Sequence, residues 1–152
     1  MGLKVGDSAP DFSLIDQHGK PFYSKDVFGK KYMIIYFYPK NNTPGCTTEA
    51  CHFRDSYEDF TDNGAVVVGI SADSEKSHRR FADKYSLPFT LLADSDKKVR
   101  RLFKVENNMF FLPGRETFVV DLNGKIIMAF NSANASEHMK RALKVLKNAL
   151  KS

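Results

Sequence analysis

Both cysteines of the chain lie in one short segment, Tyr36-Phe-Tyr-Pro-Lys-Asn-Asn-Thr-Pro-Gly-Cys-Thr-Thr-Glu-Ala-Cys51. The segment begins as an apolar strand, passes through a turn rich in Pro, Gly and Asn, and continues as the start of a predicted helix. Cys46 therefore lies where backbone N–H groups are unpaired and the helix dipole is positive, which favours a thiolate. Because the thiolate is the reactive form of cysteine, the segment predicts redox chemistry at Cys46.

A low pKa of the thiol does not by itself make a fast enzyme. An unperturbed thiol with a pKa of about 8.5 is only roughly 3% ionised at neutral pH. Lowering the pKa to about 6 gains about thirtyfold in thiolate but loses about tenfold in nucleophilicity. The site must therefore also hold hydrogen-bond donors around the atom under attack.

Candidate donors lie both beside Cys46 and far along the chain. Thr43 can aim its hydroxyl across the helix entry, where the backbone N–H groups of the first turn are also free. Pro39 stiffens the approach and could shield the sulfur from water. Arg115 stands just before a predicted strand and is the best remote cation. The alternatives are that Thr43 is only a helix cap and Arg115 only a surface ion-pair partner.

Cys51 follows Cys46 by five residues on the same predicted helix. Five residues along an α-helix correspond to about 500° of rotation and about 7.5 Å of rise, so the two side chains diverge by roughly 140°. A disulfide needs Cα atoms within about 7 Å, and these should lie more than about 8 Å apart. Pairing would require at least one helical turn to unwind. The alternative is that Cys51 is an inert buried thiol on the apolar stripe of the helix.

The composition is that of one ordinary globular domain, residues 1–152, with 42% hydrophobic and 27% charged residues. The net charge is +5, but acidic residues interleave most of the basic clusters. We therefore expect solvated helix faces and no nucleic-acid partner. The longest strongly apolar run, at residues 33–38, is too short to span a bilayer, so no membrane association is expected.

The first residues lack the charged-then-apolar layout of a secretory signal. We therefore expect a cytoplasmic protein. A plastid or another organelle is the alternative, because a removed targeting segment would leave no trace.

The cysteines and histidines do not form a metal-ligand pattern, and no metal site is predicted. Cys46, Cys51 and His52 are irregularly spaced, and no second pair of ligands follows. We expect the other three histidines to be scattered surface residues, namely His18, His78 and His138.

Hydrophobic periodicity predicts an α/β fold with a mixed central sheet, helices on both faces and an N-terminal β-hairpin. Cys46 would lie at the entry of the first crossover helix, where functional groups collect in such sheets. The order of elements is also that of a thioredoxin-like fold. Strands are predicted at residues 12–15, 21–23, 32–38, 65–71, 89–92, 117–121 and 125–130, and helices at 47–64, from Ser74 to 85, at 96–103 and from Ser136 onward.

At these residues the chain resembles the peroxiredoxins, and most closely the PrxQ group, also called bacterioferritin comigratory proteins. The peroxiredoxin pattern Pro-x-x-x-Thr-x-x-Cys is matched by Pro39, Thr43 and Cys46, and the Cys-x4-Cys spacing distinguishes this group from its relatives. The resemblance runs nearly from end to end. It includes Gly6-Asp-Ser-Ala-Pro-Asp-Phe12, Phe53-Arg-Asp55, Gly69-Ile-Ser71 and Leu112-Pro-Gly-Arg115.

The resemblance implies a thioredoxin-dependent thiol peroxidase of thioredoxin-like fold that serves antioxidant defence and redox homeostasis. Cys46 would be the peroxidatic cysteine, which is oxidised by hydrogen peroxide or an organic hydroperoxide to sulfenic acid. Cys51 would be the resolving cysteine, which condenses with the sulfenic acid to an intramolecular disulfide. Thioredoxin or a similar dithiol would then reduce this disulfide.

The resemblance also assigns the surrounding residues. Thr43 and Arg115 would bind the peroxide and polarise its O–O bond, and Pro39 would shield the pocket. Glu49 would orient the arginine. The group needs no metal, flavin or haem, and we expect no cofactor and a monomer.

The chain departs from the group in two places. Asn41-Asn42 stands where relatives often carry an acidic residue, and the apolar tract at residues 107–111 could favour bulkier hydroperoxides or form a contact surface. Two other functions stay open from the residues alone. One is a general disulfide oxidoreductase, which normally uses Cys-x-x-Cys. The other is a non-catalytic redox sensor or basic binding module.

Overall fold

A computed structural model describes residues 3–106 and 114–151. Within these ranges the strands are β1 (Ser13–Asp16), β2 (Pro21–Tyr23), β3 (Tyr32–Phe37), β4 (Ala65–Ser71), β5 (Thr90–Ala93), β6 (Glu116–Val120) and β7 (Ile126–Asn131). The helices are α1 (Pro44–Asp55), α2 (Tyr57–Asp62), α3 (Glu75–Tyr85), α4 (Lys98–Leu102) and α5 (Ala135–Leu150), with a 3-10 turn at Ser24–Asp26.

The strands form one seven-stranded sheet in the order β2-β1-β5-β4-β3-β6-β7. Strand β3 pairs in parallel with β4, and β4 pairs in parallel with β5. The remaining pairs are antiparallel, including the β1–β2 hairpin and the β3–β6 pair. This mixed sheet with an N-terminal hairpin confirms the predicted α/β architecture.

Strand β3 is covered on both faces of the sheet, which explains its continuous apolar sequence. Alternate residues point into two separate cores. Ile34 and Tyr36 enter the core formed with α1, α2, α3 and α5. Met33 and Phe37 enter the opposite core, to which α4 contributes Val99. The loop that follows β3 therefore begins at the end of a strand that is held on both faces.

The predicted helix at residues 47–64 is wrong in its continuity, because Ser56 divides it into α1 and α2. Ser56 adopts φ −108° and ψ 11°, outside the helical region, and its carbonyl accepts from Asp59 and Phe60. Phe53 and Phe60 nevertheless both point into the core, with ring centroids 5.7 Å apart. The apolar spacing therefore survives the break, so periodicity alone could not reveal it.

The other element ends differ from prediction by a few residues. The predicted cap of α3 is confirmed, since Ser74 Oγ accepts a hydrogen bond from the Ser77 N–H at 3.1 Å. Helix α5 is capped by Asn134, whose Oδ1 accepts from the N–H of Ser136 at 3.0 Å, so it begins earlier than predicted. No helix in the described ranges has the length and apolarity needed to cross a bilayer.

Candidate active site

Cys46 lies in the first turn of α1, directly after the loop that leaves β3. Thr43 occupies the N-cap position with φ −89° and ψ 151°, and Pro44 begins the helix. Proline is well suited to this position because it lacks an N–H that would be unpaired there anyway. The Cys46 side chain is 1% exposed. A buried sulfur therefore faces the positive end of the helix dipole, as the sequence predicts.

The structure brings Arg115 to this sulfur across 69 positions of sequence. Its Nη2 donates to Cys46 Sγ at 3.4 Å, and its Nη1 donates to Glu49 Oε1 at 2.5 Å. Strands β3 and β6 pair antiparallel with Phe37 opposite Glu116. Arg115, just before β6, therefore lies at the same end of these strands as the loop that leads from β3 to α1. A Cβ added at Gly45 would lie 3.0 Å from Nη2, so glycine leaves room for the guanidinium.

Glu49 shares the guanidinium with Cys46 and is completely buried. Burial raises the pKa of this carboxyl to about 8, although the neighbouring Arg115 opposes that rise. Burial lowers the pKa of Arg115, but Glu49 and then Cys46 outweigh this effect, so the net pKa of Arg115 is raised. The cation is therefore permanent, while the carboxyl can carry a proton near neutral pH.

Thr43 does not act as a side-chain cap of α1. Its hydroxyl donates to the carbonyl of Lys40 at 2.9 Å, and the helix begins without a side-chain cap bond. Pro39 lies in the same loop and is half-buried. The loop thus holds both predicted site residues next to the first turn.

Cys51 is half-buried and lies on the same continuous helix as the buried Cys46. Both thiols are free. The continuous helix between them matches the expected separation, so the fold as described is the form in which the two sulfurs are unpaired. The hydrogen bond to Asp55, and after it the proximity of Cys51, raises the pKa of Arg54.

Two of the histidines predicted to lie on the surface are completely buried. His18 is exposed, but His78 and His138 are 0% exposed. Burial lowers the pKa of His78 and lowers that of His138 to about 4, so both rings are neutral at physiological pH. The helical spacing of Ala135, His138, Ala142 and Leu146, all buried, is the sequence signal that could have placed His138 inside.

The His78 ring anchors the loop before Cys46. Tyr38 donates its hydroxyl to Asn41 Oδ1 at 2.6 Å, and Asn41 Nδ2 lies 3.0 Å from His78 Nδ1. The Asn41 amide also donates to Ser77 Oγ at 3.1 Å, and its backbone N–H donates to Asp73 at 2.9 Å. An asparagine at this position therefore ties the loop to α3 through donors that an acidic residue would lack.

Arg100 is a buried residue that no pattern in the sequence singles out. Its Nη1 donates to the carbonyl of Gly114 at 3.0 Å and its Nη2 to that of Tyr38 at 3.3 Å. These carbonyls immediately precede Arg115 and Pro39. One guanidinium therefore fixes the spacing of the two backbone segments that border the site.

Within residues 3–106 and 114–151, no three His, Cys, Asp or Glu side chains come together to hold a metal ion. The apolar tract at residues 107–111, expected to influence substrate size or form a contact surface, lies outside the described residues.

The arrangement can perform nucleophilic chemistry at sulfur. A buried thiolate at Cys46 would be stabilised by the helix N-terminus and by the Arg115 guanidinium, and both are already in position before any substrate arrives. The same guanidinium can donate to an electronegative atom that approaches the sulfur.

Comparison with known proteins agrees with this chemistry. The model of the AhpC/TSA family matches residues 5–129. Chloroplastic peroxiredoxin Q of Sedum lineare is 50% identical over 145 residues, covering 94% of this chain and 77% of the relative. Peroxiredoxin Bcp of Bacillus subtilis is 40% identical over 154 residues, covering 97% of this chain and 98% of the relative.

The solved structure of peroxidoxin BcpB from Mycobacterium tuberculosis superposes with a TM-score of 0.89 at 35% identity, covering 96% of this chain and 97% of that one. This likeness confirms the expected thioredoxin-like fold.

Proposed function

The chain belongs to the AhpC/TSA family and is a thiol peroxidase of the peroxiredoxin type, and we propose that Cys46 is its peroxidatic residue. The main support for this proposal is the Arg115 guanidinium. Its Nη2 donates to the buried Cys46 sulfur at 3.4 Å, and its Nη1 donates to Glu49. Hydrogen peroxide and organic hydroperoxides are the proposed substrates.

In the first step the Cys46 thiolate attacks the terminal oxygen of the hydroperoxide. The S–O bond forms as the O–O bond breaks, the sulfur is oxidised to sulfenic acid, and the departing oxygen takes up a proton as water or an alcohol. Arg115 and Thr43 are the proposed donors to the two oxygens, and Pro39 limits access of water. Arg115 is already oriented toward the sulfur, so it needs little reorganisation when charge moves from sulfur to oxygen, whereas the Thr43 hydroxyl must first leave the Lys40 carbonyl.

In the second step the Cys51 thiol displaces water from the Cys46 sulfenic acid and forms an intramolecular disulfide. The continuous α1 helix must open locally for the sulfurs to meet. Thioredoxin or a similar dithiol then reduces the disulfide by thiol–disulfide exchange. The cycle thus consumes two thiols of the donor for each hydroperoxide and serves antioxidant defence and redox homeostasis.

We further propose that the protein acts as a monomer, because Cys46, Glu49 and Arg115 all come from one chain. A cytoplasmic location remains our proposal. A plastid is the alternative, and it is supported by the relatives named as chloroplastic peroxiredoxin Q.

Stopped-flow mixing of the reduced protein with stoichiometric peroxide tests the first step. We expect consumption at least about a thousandfold faster than by a free thiol, since an oriented cation and oxyanion-type donors typically supply such factors. Cys46→Ser should abolish it. Consumption at the rate of a free thiol would contradict the peroxidase and favour a redox sensor or binding module.

The second cysteine separates the two steps. Cys51→Ser should keep the fast first oxidation but lose turnover with thioredoxin, because no partner thiol remains within the chain. The measurement is NADPH consumption coupled through thioredoxin and its reductase. Normal turnover by Cys51→Ser would mean that an external thiol resolves the sulfenic acid, and it would overturn the two-cysteine mechanism.

A further inference from the structure

Behind Arg115, a chain of buried polar groups continues to helix α5. Glu49 Oε2, the oxygen not bound by Arg115, lies 3.5 Å from His138 Nδ1. The same nitrogen lies 2.7 Å from Thr117 Oγ1, and His138 Nε2 lies 2.8 Å from the carbonyl oxygen of Ser132. Glu49 and His138 are both inaccessible to solvent, so no bulk water shares this chain.

The contacts fix the tautomer of the His138 ring. A carbonyl oxygen only accepts hydrogen bonds, so the proton of the neutral ring must be on Nε2, which donates to Ser132. Nδ1 therefore carries a lone pair and accepts from the Thr117 hydroxyl. That one lone pair is used by Thr117, and Glu49 Oε2, 3.5 Å away, makes no hydrogen bond to the ring. An ionised Oε2 would still lie against an electron-rich nitrogen, which disfavours the negative charge, whereas a protonated carboxyl meets no such repulsion.

The two oxygens of Glu49 are thus unlike. Oε1 receives the Arg115 Nη1–H, while Oε2 has no hydrogen-bond donor among the described groups. A proton on this carboxyl belongs on Oε2. When it is there, the charge of Arg115 is opposed by one anion, the Cys46 thiolate, instead of two.

The other charged groups around the ring leave this arrangement intact. On α5, Glu137 and Arg141 flank His138 and form an ion pair with each other at 3.4 Å on the exposed side of the helix. From β7, the Phe130 ring packs against the imidazole with ring centroids 4.8 Å apart, and the Arg141 guanidinium lies over the Phe130 ring. Arg115, which faces the ring from the start of β6, disfavours a charge on it.

We propose that His138 is a positioning residue that keeps the proton of the site on Glu49 and so reserves the Arg115 guanidinium for the Cys46 thiolate. This inference rests on the proposed function of Cys46. Without the acceptor at Nδ1, Glu49 ionises more readily, competes for the guanidinium, and the proton is redistributed to the sulfur.

The test is made in the Cys51→Ser background, where Cys46 is the only thiol of the chain. Ultraviolet absorbance of the thiolate is followed against pH, and the rate of reaction with hydrogen peroxide is measured in parallel. His138→Gln keeps an amide donor near Ser132 but removes the acceptor facing Glu49. We expect its thiolate titration to move to higher pH by about one unit, because the repulsion that opposes ionisation of Glu49 is removed.

Glu49→Gln isolates the proton, because its amide resembles a carboxyl that cannot ionise. Its thiolate titration should not move to higher pH, and adding His138→Gln in that background should cause no further shift. His18→Gln, the same substitution at an exposed site, should match the parent protein. Thermal unfolding of each variant verifies that it is folded.

An equal shift from His138→Gln with and without Glu49→Gln would overturn the proposal, as would an upward shift from Glu49→Gln alone. Failure of the proposed function looks different. In that case the parent protein reacts with peroxide no faster than a free thiol, while the thiolate titrations still report on the proton.

Discussion

The side chain of Arg115 bridges two partners in a way that depends on the shape of its guanidinium. One terminal nitrogen reaches Cys46 Sγ and the other reaches Glu49 Oε1. The planar group holds these donors at a fixed spacing, and it stays protonated even when buried. A lysine ammonium at the same position would offer one nitrogen and would have to favour one partner.

We therefore expect Arg115→Lys to lower the second-order rate constant for peroxide by about a hundredfold, comparable to the loss of one oriented donor in a transition state. Stopped-flow measurement at neutral pH gives this value. Arg54→Lys is a matched control, because Arg54 is paired with Asp55 on the outer side of α1 and is not bonded to Cys46. A change of less than fivefold in Arg115→Lys would mean that a positive charge is sufficient and that the two terminal nitrogens of the guanidinium are not both required.

In the proposed two-cysteine mechanism, helix α1 must adopt two incompatible states. In the reduced state it runs without interruption from Pro44 to Asp55 and holds Cys46 inside the core. Disulfide formation requires part of it to unwind. The first turn is the weaker end, because Thr43 bonds the Lys40 carbonyl and leaves the helix without the side-chain cap that typically contributes about 1 kcal/mol.

Oxidation by one equivalent of peroxide should therefore remove about one helical turn, roughly four residues, from the reduced protein. Far-ultraviolet circular dichroism gives the net loss, and amide hydrogen exchange should locate it at residues 47–50, whose N–H groups bond to the carbonyls of residues 43–46 in the intact helix. Cys51→Ser, oxidised in the same way, cannot form the bridge and should retain its helix. A bridged protein, verified by mass spectrometry, with unchanged helix content would contradict this prediction.

For the whole molecule, buried titratable groups determine how stability depends on pH. Burial raises the pKa of Glu49 to about 8 and that of Glu116 to about 7, so between their ordinary value of 4.5 and these values the folded state holds more protons than the unfolded state. Stability from these groups falls as pH rises through that window. His138 acts in the opposite sense, because its folded pKa of about 4 makes stability rise with pH up to the ordinary value of 6.5.

The opposing effects overlap below about pH 6.5, and above it the ionisation of Glu49 dominates. We expect the free energy of unfolding to fall by about 1–2 kcal/mol between about pH 6.5 and pH 8. Urea unfolding of the reduced protein at both pH values measures it. Glu49→Gln should remove most of the fall, whereas Glu116→Gln should leave most of it. An equal fall in Glu49→Gln would mean that its carboxyl is already ionised at neutral pH.

Local patterns in the sequence were enough to predict most of the fold and the centre of the site. The continuous apolar run that became β3 required cover on both faces, and the turn after it required a helix that begins near Cys46. These features depend on residues close together in sequence, whose periodicity and turn chemistry are local. Arg115 could be selected as a candidate in the same way, from its position before a strand.

The contacts between residues that are distant in sequence could be known only from the folded chain. The contact of Arg115 with Cys46 spans 69 positions and exists because β3 and β6 pair. The burial of His138 depends on the packing of α5 against the sheet. The bonds from Arg100 to the carbonyls of Tyr38 and Gly114 form only because the fold places these two backbone segments side by side. The sequence pattern around a polar residue is the same whether its side chain faces water or a buried polar group. Its pKa and role follow from desolvation and contacts that the folded chain creates.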